Sequence, residues 1–356
     1  MAVARAPSDG RADGAGTRAK SSDRRGSSRG YPARMARSMR RLPPRFPRRR
    51  QNAPKVTVLG DLMLDVVVAP TRRLLRGTDV PGRVSLRQGG SAANTARWLA
   101  RFGARSTLVT AVGRDAIGRT LVDALRSDKV TVRATRVAGR ATGRIGVIVM
   151  AGGERSFVAD RGAADELRPA DLKSGWFAGD LLHVPAYSLI GAPLRDAGRR
   201  AIELAREHGA LISLDLASAA PLLAQGRRVA RRLVDDVAPD ILFSTAAEAE
   251  AYLGDEDVGG LLDSAPLAIV KRGPGGATVL ARGLAGTHRF EVATPALATS
   301  DTTGAGDAFD AGFLAMYLSA PPDTRARPAT LHRAALAGHR AAARQLATGS
   351  PELSLG

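Results

Sequence analysis

The sequence contains no cysteine, which excludes disulfide bridges and thiolate zinc sites. Aromatic residues make up only 4% of the chain, and the five histidines are scattered, with no pair at the i, i+4 spacing of a helical metal site. No apolar run approaches the roughly 20 residues that a membrane-spanning helix needs, and no secretory h-region opens the chain. These absences predict a cytoplasmic protein without a membrane anchor.

Positive charge is concentrated in the first part of the 356-residue chain. The formal net charge is +19, and residues 1–53 contribute +12 of it. This segment is rich in Arg, Ser, Gly and Pro and has almost no periodic apolar residues, which predicts a disordered basic tail. A nucleic-acid-binding arm and a targeting peptide are open alternatives. We favour a non-functional extension. The rest of the chain carries a net charge of only +7, so the positive excess is mostly a property of the tail, and nucleic acid is not expected as a partner.

From Val56 onward, short apolar segments such as VTVLG alternate with segments of helical periodicity. This alternation predicts a mostly parallel sheet with helices on both faces, a three-layer α/β/α sandwich. Two β-rich pieces, near 66–88 and 140–162, do not fit the alternation and predict a small separate sheet that acts as a lid. One helix is predicted to run to about Val234, two close the chain, and the others span 90–103, 116–127, 194–209 and 246–254.

The stretch DTTGAGDAFDAGF at 301–313 carries the strongest chemical signal. Gly304, Ala305 and Gly306 are small enough for the backbone to curl around an anion, and they lie at a predicted helix N-terminus, whose dipole favours negative charge. Asp307 follows, where it could accept a proton from an attacking hydroxyl during phosphoryl transfer. Taken alone, an ordinary helix N-cap is an equally good interpretation of this aspartate.

This stretch resembles the signature of the ribokinase-like (PfkB) family of carbohydrate and nucleoside kinases. Three further segments match that family in the same order: GDLMLD at 60–65, QGGSAANTARWLARFGA at 88–104 and VGRDAIGR at 112–119. The resemblance covers residues 54–350 and implies the ribokinase-like fold, with ATP-dependent phosphorylation of a sugar hydroxyl as the activity. It also implies ATP, Mg²⁺ and a sugar as the bound small molecules, and a homodimer formed through the lid.

The resemblance assigns roles to individual residues. Asp307 would be the general base, and the anion hole would be formed by the amides of Gly304, Ala305 and Gly306. The sugar would be held by Asp65, Gly89, Gly90 and Asn94. The nucleotide would lie beside Thr245, Glu248, Lys271, Gly273, Gly276 and His339, with Glu248 also holding Mg²⁺ through water. A monovalent cation such as K⁺ would lie near Asp301 and Thr303.

Some positions depart from the family pattern or have a second interpretation. Thr245 replaces the usual Asn of an Asn-x-x-Glu motif, which predicts lower activity or altered magnesium use. Met63 replaces a sugar-pocket asparagine, which argues against ribose. Arg161 is either a contact for an acidic or phosphorylated sugar or a solvated lid arginine. The segment KRGPGG at 271–276 could equally be a simple β-turn.

Two other functions stay open at this point. A nucleoside kinase of the same family would use the same base and anion hole, but few rings are available to stack on a nucleobase, the candidates being Phe157, Trp176, Tyr187 and Phe243. A catalytically weak sugar-binding relative is the alternative that Thr245 suggests. The retained Asp307 counts against it, because a binding protein has no need of a general base.

Overall fold

The structure, a computed structural model, describes residues 53–150, 155–283, 286–295 and 301–353. The predicted tail at 1–53 lies outside these ranges apart from Ala53. No helix in these ranges has the length and apolar character that crossing a bilayer requires.

Thirteen strands are formed by the described residues. They are β1 (Lys55–Leu59), β2 (Met63–Pro70), β3 (Gly82–Gly89), β4 (Arg105–Gly113), β5 (Thr131–Val137), β6 (Arg144–Val149), β7 (Arg155–Asp160), β8 (Leu181–Pro185), β9 (Leu211–Asp215), β10 (Ile241–Thr245), β11 (Leu267–Lys271), β12 (Ala277–Gly283) and β13 (Gly286–Val292). Nine of them form one sheet in the order β13-β12-β11-β10-β9-β8-β1-β4-β5. Neighbours from β11 to β5 run parallel, and β12 and β13 add two antiparallel strands at one edge.

Eight α-helices accompany these strands in the described ranges. They are α1 (Ser91–Arg101), α2 (Ala116–Ser127), α3 (Leu194–Glu207), α4 (Ala219–Leu222), α5 (Arg227–Val237), α6 (Ala246–Leu253), α7 (Ala305–Leu318) and α8 (Pro328–Thr348). The single helix predicted to end near Val234 is therefore wrong. The chain forms α4 and α5 there, separated by Gly226, whose φ of +90° is incompatible with a continuous helix.

Two apolar cores lie on opposite faces of the nine-stranded sheet. Because successive side chains of a strand point to opposite faces, Val58 of β1 belongs to one core and Leu59 to the other. The first core also receives apolar residues of α1, α2, α7 and α8, and the second receives those of α3, α5 and α6. This arrangement confirms the predicted three-layer α/β/α sandwich.

The remaining four strands form the small separate sheet that the sequence predicted. Their order is β3-β2-β6-β7. The pairs β2–β3 and β6–β7 are antiparallel, whereas β2 and β6 run parallel, so the sheet is mixed. Because β2 follows β1 after only three residues, and β3 ends next to α1, both connections bring this sheet to the carboxyl end of β1.

Helices α7 and α8 pack closely because glycines lie at their contact. A Cβ on Gly312 of α7 would come within 2.6 Å of the Ala337 carbonyl oxygen, and one on Gly338 of α8 within 2.9 Å of the Phe309 ring. At the same contact, His339 Nε2 lies 3.0 Å from the Val292 carbonyl oxygen and ties α8 to β13. The position of the α7 N-terminus, where Asp307 lies, therefore depends on this helix pair.

We expect Gly312→Ala to lower the free energy of unfolding by about 1–3 kcal/mol, because the new methyl group would press on backbone. This loss would occur although alanine is intrinsically the better helix former by about 1 kcal/mol. Urea unfolding measures the difference, with Gly175→Ala as the matched control, since no heavy atom lies within 4 Å of a Cβ at that position. Equal stability of the two variants would show that the helices can separate without cost.

Candidate active site

Charged residues collect where three neighbouring parallel strands end. Asp215, Thr245 and Lys271 are the last residues of β9, β10 and β11, which are adjacent in the sheet. The N-terminus of α7 reaches the same place, since a Cβ on Gly306 would lie 3.5 Å from Lys271 Nζ. Carboxyl ends of parallel strands are the usual ligand sites of open α/β sheets, and the predicted catalytic segment lies there.

Asp307 is held by two side chains of α1. Ser91 Oγ donates to Asp307 Oδ1 at 2.7 Å, and Asn94 Nδ2 donates to Asp307 Oδ2 at 2.9 Å. The N-cap of α7 is Gly304, with a left-handed φ of +73°, and no side chain caps the helix. The interpretation of Asp307 as an ordinary N-cap is therefore wrong.

The surroundings of Asp307 adjust its proton affinity. Burial raises the pKa of its carboxyl to about 6, against the hydrogen bonds from Ser91 and Asn94, which lower it. The Asp215 charge raises this pKa further, and Lys271 lowers it. A carboxylate with a pKa near 6 is ionised at neutral pH yet basic enough to take a proton in a transition state, which suits a general base.

The predicted anion hole lies in the first turn of α7. Gly304, Ala305 and Gly306 are the N-cap and the first two helical residues, where α-helices leave N–H groups without intrahelical acceptors. In the structure the Ala305 amide donates to the Thr302 carbonyl oxygen at 3.1 Å, which closes a tight turn before the helix. For Ala305 to donate to a phosphate, this turn would have to open.

A buried ammonium group lies between two carboxylates beside this turn. Lys271 Nζ is 3.2 Å from Asp215 Oδ2 and 3.1 Å from both carboxylate oxygens of Asp310, and all three side chains are almost fully buried. Burial alone would lower the pKa of Lys271, but the two carboxylates raise it above its usual value. Burial raises the pKa of Asp310 well above its usual value, although Lys271 opposes this. The sequence analysis placed Lys271 beside the nucleotide but selected neither Asp215 nor Asp310.

Thr245 and Glu248 cap helix α6. Thr245 Oγ1 accepts from the Glu248 amide at 3.2 Å, and Glu248 Oε2 accepts from the Thr245 amide at 2.8 Å. This is a capping box, in which each side chain satisfies a free amide of the first turn. Burial raises the pKa of Glu248, Asp215 adds to the shift, and Lys271 opposes it. Thr245 and Glu248, which were predicted to lie beside the nucleotide and Mg²⁺, therefore also have a structural role as the cap of α6.

A cavity of about 790 Å³ extends from the α7 turn to α8. It brings together seven of the predicted residues: Thr245, Lys271, Gly273, Gly276, Ala305, Gly306 and His339. Glu248 is not among the lining residues, whereas Phe309, Ala342 and Leu346 are, and they make one wall apolar. The volume and the mixed lining are typical of a site for a small molecule of nucleotide size.

The KRGPGG segment is both a turn and a wall of this cavity. Gly273 and Gly276 have left-handed φ values of +54° and +87°, and the Arg272 amide donates to the Gly276 carbonyl oxygen at 2.8 Å. A Cβ on Gly276 would collide with the Val292 carbonyl oxygen. The β-turn interpretation is thus right, and it is compatible with a position beside a ligand. His339 is likewise a structural residue, because its ring contacts Phe309 edge-on at 5.0 Å between centroids.

The predicted sugar-binding residues lie on β2, at the β3–α1 connection and on α1. Asp65 is on β2, and Asn94, which also accepts from Gln88 Nε2 at 3.2 Å, is on α1. A Cβ on Gly89 would collide with the Asp65 carboxylate, and one on Gly90, whose φ is +97°, would lie 2.6 Å from the Asp61 carbonyl oxygen. The glycine pair is therefore required for β2 and α1 to approach each other.

Asp65 has an unused hydrogen-bonding atom. Its Oδ1 is buried and has no hydrogen-bond partner among the described residues. Burial raises the pKa of Asp65 to about 7, and the charges of Asp61 and Asp307 add to the shift, while Arg87 and Arg97 oppose it. A buried polar atom without a partner is costly, so this oxygen is a candidate acceptor for a sugar hydroxyl.

Arg161 and Asp61 form an ion pair that the sequence analysis did not foresee. Arg161 Nη1 is 3.2 Å from Asp61 Oδ2, and Nε is 2.7 Å from Asp165 Oδ1. The guanidinium also lies over the Tyr187 ring, 5.4 Å from its centroid, and only 20% of the side chain is exposed. The interpretation of Arg161 as a solvated arginine is therefore wrong. The signal was present in the GDLMLD segment at 60–65, in which the sequence analysis gave a role to Asp65 but none to Asp61.

Asp301 and Thr303, the predicted cation residues, contact arginines of the small sheet. Arg155 Nη1 lies 2.6 Å from Asp301 Oδ1, and Arg87 Nη1 lies 3.1 Å from Asp301 Oδ2. Burial would raise the pKa of Asp301, but the hydrogen bonds and charge of Arg155, together with the Thr303 amide, lower it to about 2. The carboxylate is thus ionised and fully paired.

This fold, with a carboxylate at a helix N-terminus beside a nucleotide-sized cavity, is the arrangement expected of a small-molecule kinase. The family described as pfkB family carbohydrate kinase matches residues 53–354. The chain belongs to that family, and it catalyses ATP-dependent phosphorylation of a sugar, which confirms the predicted family, fold and class of enzyme.

Known proteins of this family resemble the chain over most of its length. A fructokinase of Klebsiella pneumoniae is 31% identical over 271 residues, covering 73% of this chain and 83% of that protein. Among solved structures, an adenosine kinase from Sinorhizobium meliloti has a TM-score of 0.73 at 25% identity, covering 85% of this chain and 97% of that one. A fructokinase from Vibrio cholerae O395 has a TM-score of 0.68 at 24% identity, covering 83% and 94%, which shows the same fold.

We expect kcat/KM to fall as the pH drops through about 6, because Asp307 must be ionised to accept a proton and its pKa is about 6. Ser91→Ala removes a hydrogen bond that lowers this pKa, so the acid limb should move to higher pH. The pH dependence of kcat/KM measures both effects, with Ser127→Ala as the control, since its hydroxyl bonds only a backbone carbonyl of α2. An acid limb that Ser91→Ala leaves in place would contradict the assignment of the limb to Asp307.

Proposed function

We propose that this chain transfers the γ-phosphoryl group of ATP to a hydroxyl of fructose or a similar small sugar, with Asp307 as the general base. The observation that carries the proposal is the position of Asp307. Its carboxylate is oriented by Ser91 and Asn94. It directly follows Gly306, which lines the cavity, and its charge raises the pKa of Asp65 on β2.

In the proposed reaction, the sugar binds with one hydroxyl donating to Asp65 Oδ1 and its reactive hydroxyl beside Asp307. Asp307 accepts the proton of that hydroxyl while the oxygen attacks the γ-phosphorus of ATP. The new P–O bond forms as the bond to the β-phosphate oxygen breaks, so ADP leaves and the proton is later released from Asp307 to solvent. The amides of Gly304 and Gly306, and that of Ala305 once it leaves the Thr302 carbonyl oxygen, would stabilise the charge on the transferring group together with the α7 dipole.

ATP fits the cavity in one orientation better than in the other. The wall formed by Phe309, His339, Ala342 and Leu346 suits the adenine ring, whereas the glycine turn at 273–276 and the first turn of α7 suit the phosphates. Bound molecules in relatives support this proposal: the Vibrio fructokinase structure holds fructose, ADP and a calcium ion, and an Escherichia coli putative ribokinase II structure holds ATP and Mg²⁺.

The described residues fit Mg²⁺ only as a hydrated ion. They include no group of three or more His, Asp or Glu side chains that could hold a metal, and Glu248 Oε2 is used in the helix cap. Glu248 Oε1 would therefore accept from metal-bound water, as Mg²⁺ sites with few protein ligands allow. When bound with ATP, the ion would neutralise phosphate charge. The proposal leaves out K⁺, because arginines already pair with Asp301.

The choice of a sugar over a nucleoside rests on the relatives and on the position of the aromatic rings. Several similar proteins are fructokinases, from bacteria and plants. Of the four rings considered for stacking on a base, Phe243 is fully buried against Phe313, and Trp176 packs under the Arg133 guanidinium. Two rings are then left that could stack on a base: Tyr187, which lies beside Arg161, and the exposed Phe157 of the small sheet. The adenosine kinase neighbour keeps a nucleoside as the second substrate class to test.

A substrate panel of fructose, ribose, a sugar acid and adenosine, with ADP formation as the readout, tests the function. We expect turnover on fructose, and we expect Asp307→Asn to lower kcat by about 10²- to 10⁴-fold, the usual contribution of a general base. Asp123→Asn is the matched control, because that aspartate pairs with Arg126 on the exposed surface of α2.

Other outcomes would each reject part of the proposal. Turnover on adenosine alone would make the chain a nucleoside kinase. Thermal stabilisation by a sugar without any turnover would indicate a sugar-binding relative. Turnover close to normal in Asp307→Asn would remove Asp307 from the role of base.

The proposal keeps three expectations from the sequence. The kinase domain spans 54–350 with the small sheet as its lid, the protein works in the cytoplasm, and neither the tail at 1–53 nor the domain binds nucleic acid.

The proposal also keeps the homodimer formed through the lid. By the strand register, Val68, Val84, Ile148 and Val158 share one face of the small sheet, and Val84 and Val158 are 64% and 66% exposed.

If this apolar face binds a second copy of the chain, sedimentation at micromolar concentration should show a dimer. Val84→Glu should then shift the population to monomer, because the carboxylate would lose its water in the interface. Val229→Glu is the control, since that valine is 42% exposed on α5, outside the small sheet. A monomeric wild type, or a dimer that Val84→Glu leaves intact, would contradict the proposal.

A further inference from the structure

The carboxylate of Asp301 joins the small sheet to the loop that leads into α7. Asp301 precedes the N-cap Gly304 by three residues. Arg155, the first residue of β7, contacts Asp301 Oδ1 at 2.6 Å, and Arg87 of β3 contacts Oδ2 at 3.1 Å. One carboxylate is therefore shared by guanidinium groups from the two edge strands of the small sheet.

Thr303 completes this group of contacts. Its hydroxyl accepts a hydrogen bond from the same Arg155 Nη1 that pairs with Asp301. Its amide donates to Asp301 Oδ1 at 3.1 Å, and its carbonyl oxygen accepts from Gln345 Nε2 of α8 at 3.0 Å. The side-chain oxygens of the two residues predicted to hold a monovalent cation, and the Thr303 carbonyl oxygen, thus already have N–H donors.

Arg155 is an unusually enclosed residue of its strand. The other residues of β7 are exposed, whereas only 11% of the Arg155 side-chain surface is accessible to solvent. An arginine is always protonated and has only donors, so it can neutralise a carboxylate and bind hydroxyl oxygen as a small cation would. Unlike an ion from solvent, it is covalently attached and present at every salt composition.

We propose that the Arg155 guanidinium takes the place of the monovalent cation in this chain, so that the loop before the anion hole is ordered without K⁺. This inference rests on the proposed function, in which that loop leads to the phosphate-binding amides. Arg155 is a positioning residue. It acts through Asp301 and Thr303 on the turn at Gly304, and Arg87 neutralises the second oxygen of the same carboxylate.

The test compares KCl with tetramethylammonium chloride at equal ionic strength, since the larger ion cannot enter an oxygen-lined site. ADP is measured directly by chromatography, so that no coupling enzyme responds to the salt. For the wild type we expect the same kcat and the same Tm in both salts. Arg155→Ala should lose about tenfold or more in kcat in tetramethylammonium chloride, as misplaced catalytic groups do, and KCl should restore much of that loss.

Two further variants separate this role from a general effect on the fold. Arg144→Ala removes another arginine of the small sheet, one whose partner Asp160 is exposed, and it should behave like the wild type in both salts. Arg155→Lys keeps a cation near Asp301 and should be less dependent on K⁺ than Arg155→Ala. Thermal unfolding reports on ion binding without turnover, so KCl should raise the Tm of Arg155→Ala even if no substrate of the wild type is found.

Three results would overturn the inference. The first is a wild type that KCl activates or stabilises relative to tetramethylammonium chloride, because a cation site would then exist beside the arginine. The second is an Arg155→Ala variant with wild-type kcat and Tm in tetramethylammonium chloride. The third is an Arg155→Ala variant that loses activity and stability and regains neither in KCl, which would make Arg155 a structural residue only.

Discussion

The buried contact of Lys271 with Asp215 and Asp310 is the interaction around which the site is assembled. It joins the ends of β9 and β11 to the first turns of α7. An ammonium group between two carboxyl groups in a poorly solvated place is stable only with good geometry, and burial raises the pKa of Asp310 well above its usual value. The same charges act on Asp307 and Glu248, so the fold's central ion pair also adjusts the proposed base.

The second requirement is close approach of backbone segments. Gly89 and Gly90 let the β3–α1 connection pass the Asp65 carboxylate and the Asp61 carbonyl, and Gly312 with Gly338 lets α7 lie against α8. Any side chain at these positions would move α1 or α7, and the Ser91 and Asn94 contacts with Asp307 join those two helices. Because a general base depends on hydrogen-bond geometry, these glycines influence the position of the proposed base.

Much of the fold could be predicted, because its signals are local. The strand–helix alternation was predicted, and the segment VTVLG and the helix at 116–127 lie within a residue of the observed bounds of β1 and α2. Strand β5 was missed, since its sequence TVRATRV has arginines where apolar residues would mark a strand. The break between α4 and α5 was missed because a lone glycine in a helical pattern does not reveal its φ.

The sequence by itself determined the family, the alternating architecture and the positions of Asp307 and Asp65, since a long motif and periodic apolar residues need no partner to be read. Only the tertiary structure decided what these residues contact. It paired Lys271 with Asp215 and Asp310, used Thr245 and Glu248 as a helix cap, and placed Arg155 on Asp301 across 146 residues of chain. A side chain's charge and size are local properties, whereas its ion-pair partner depends on which strands and helices the sheet order brings together.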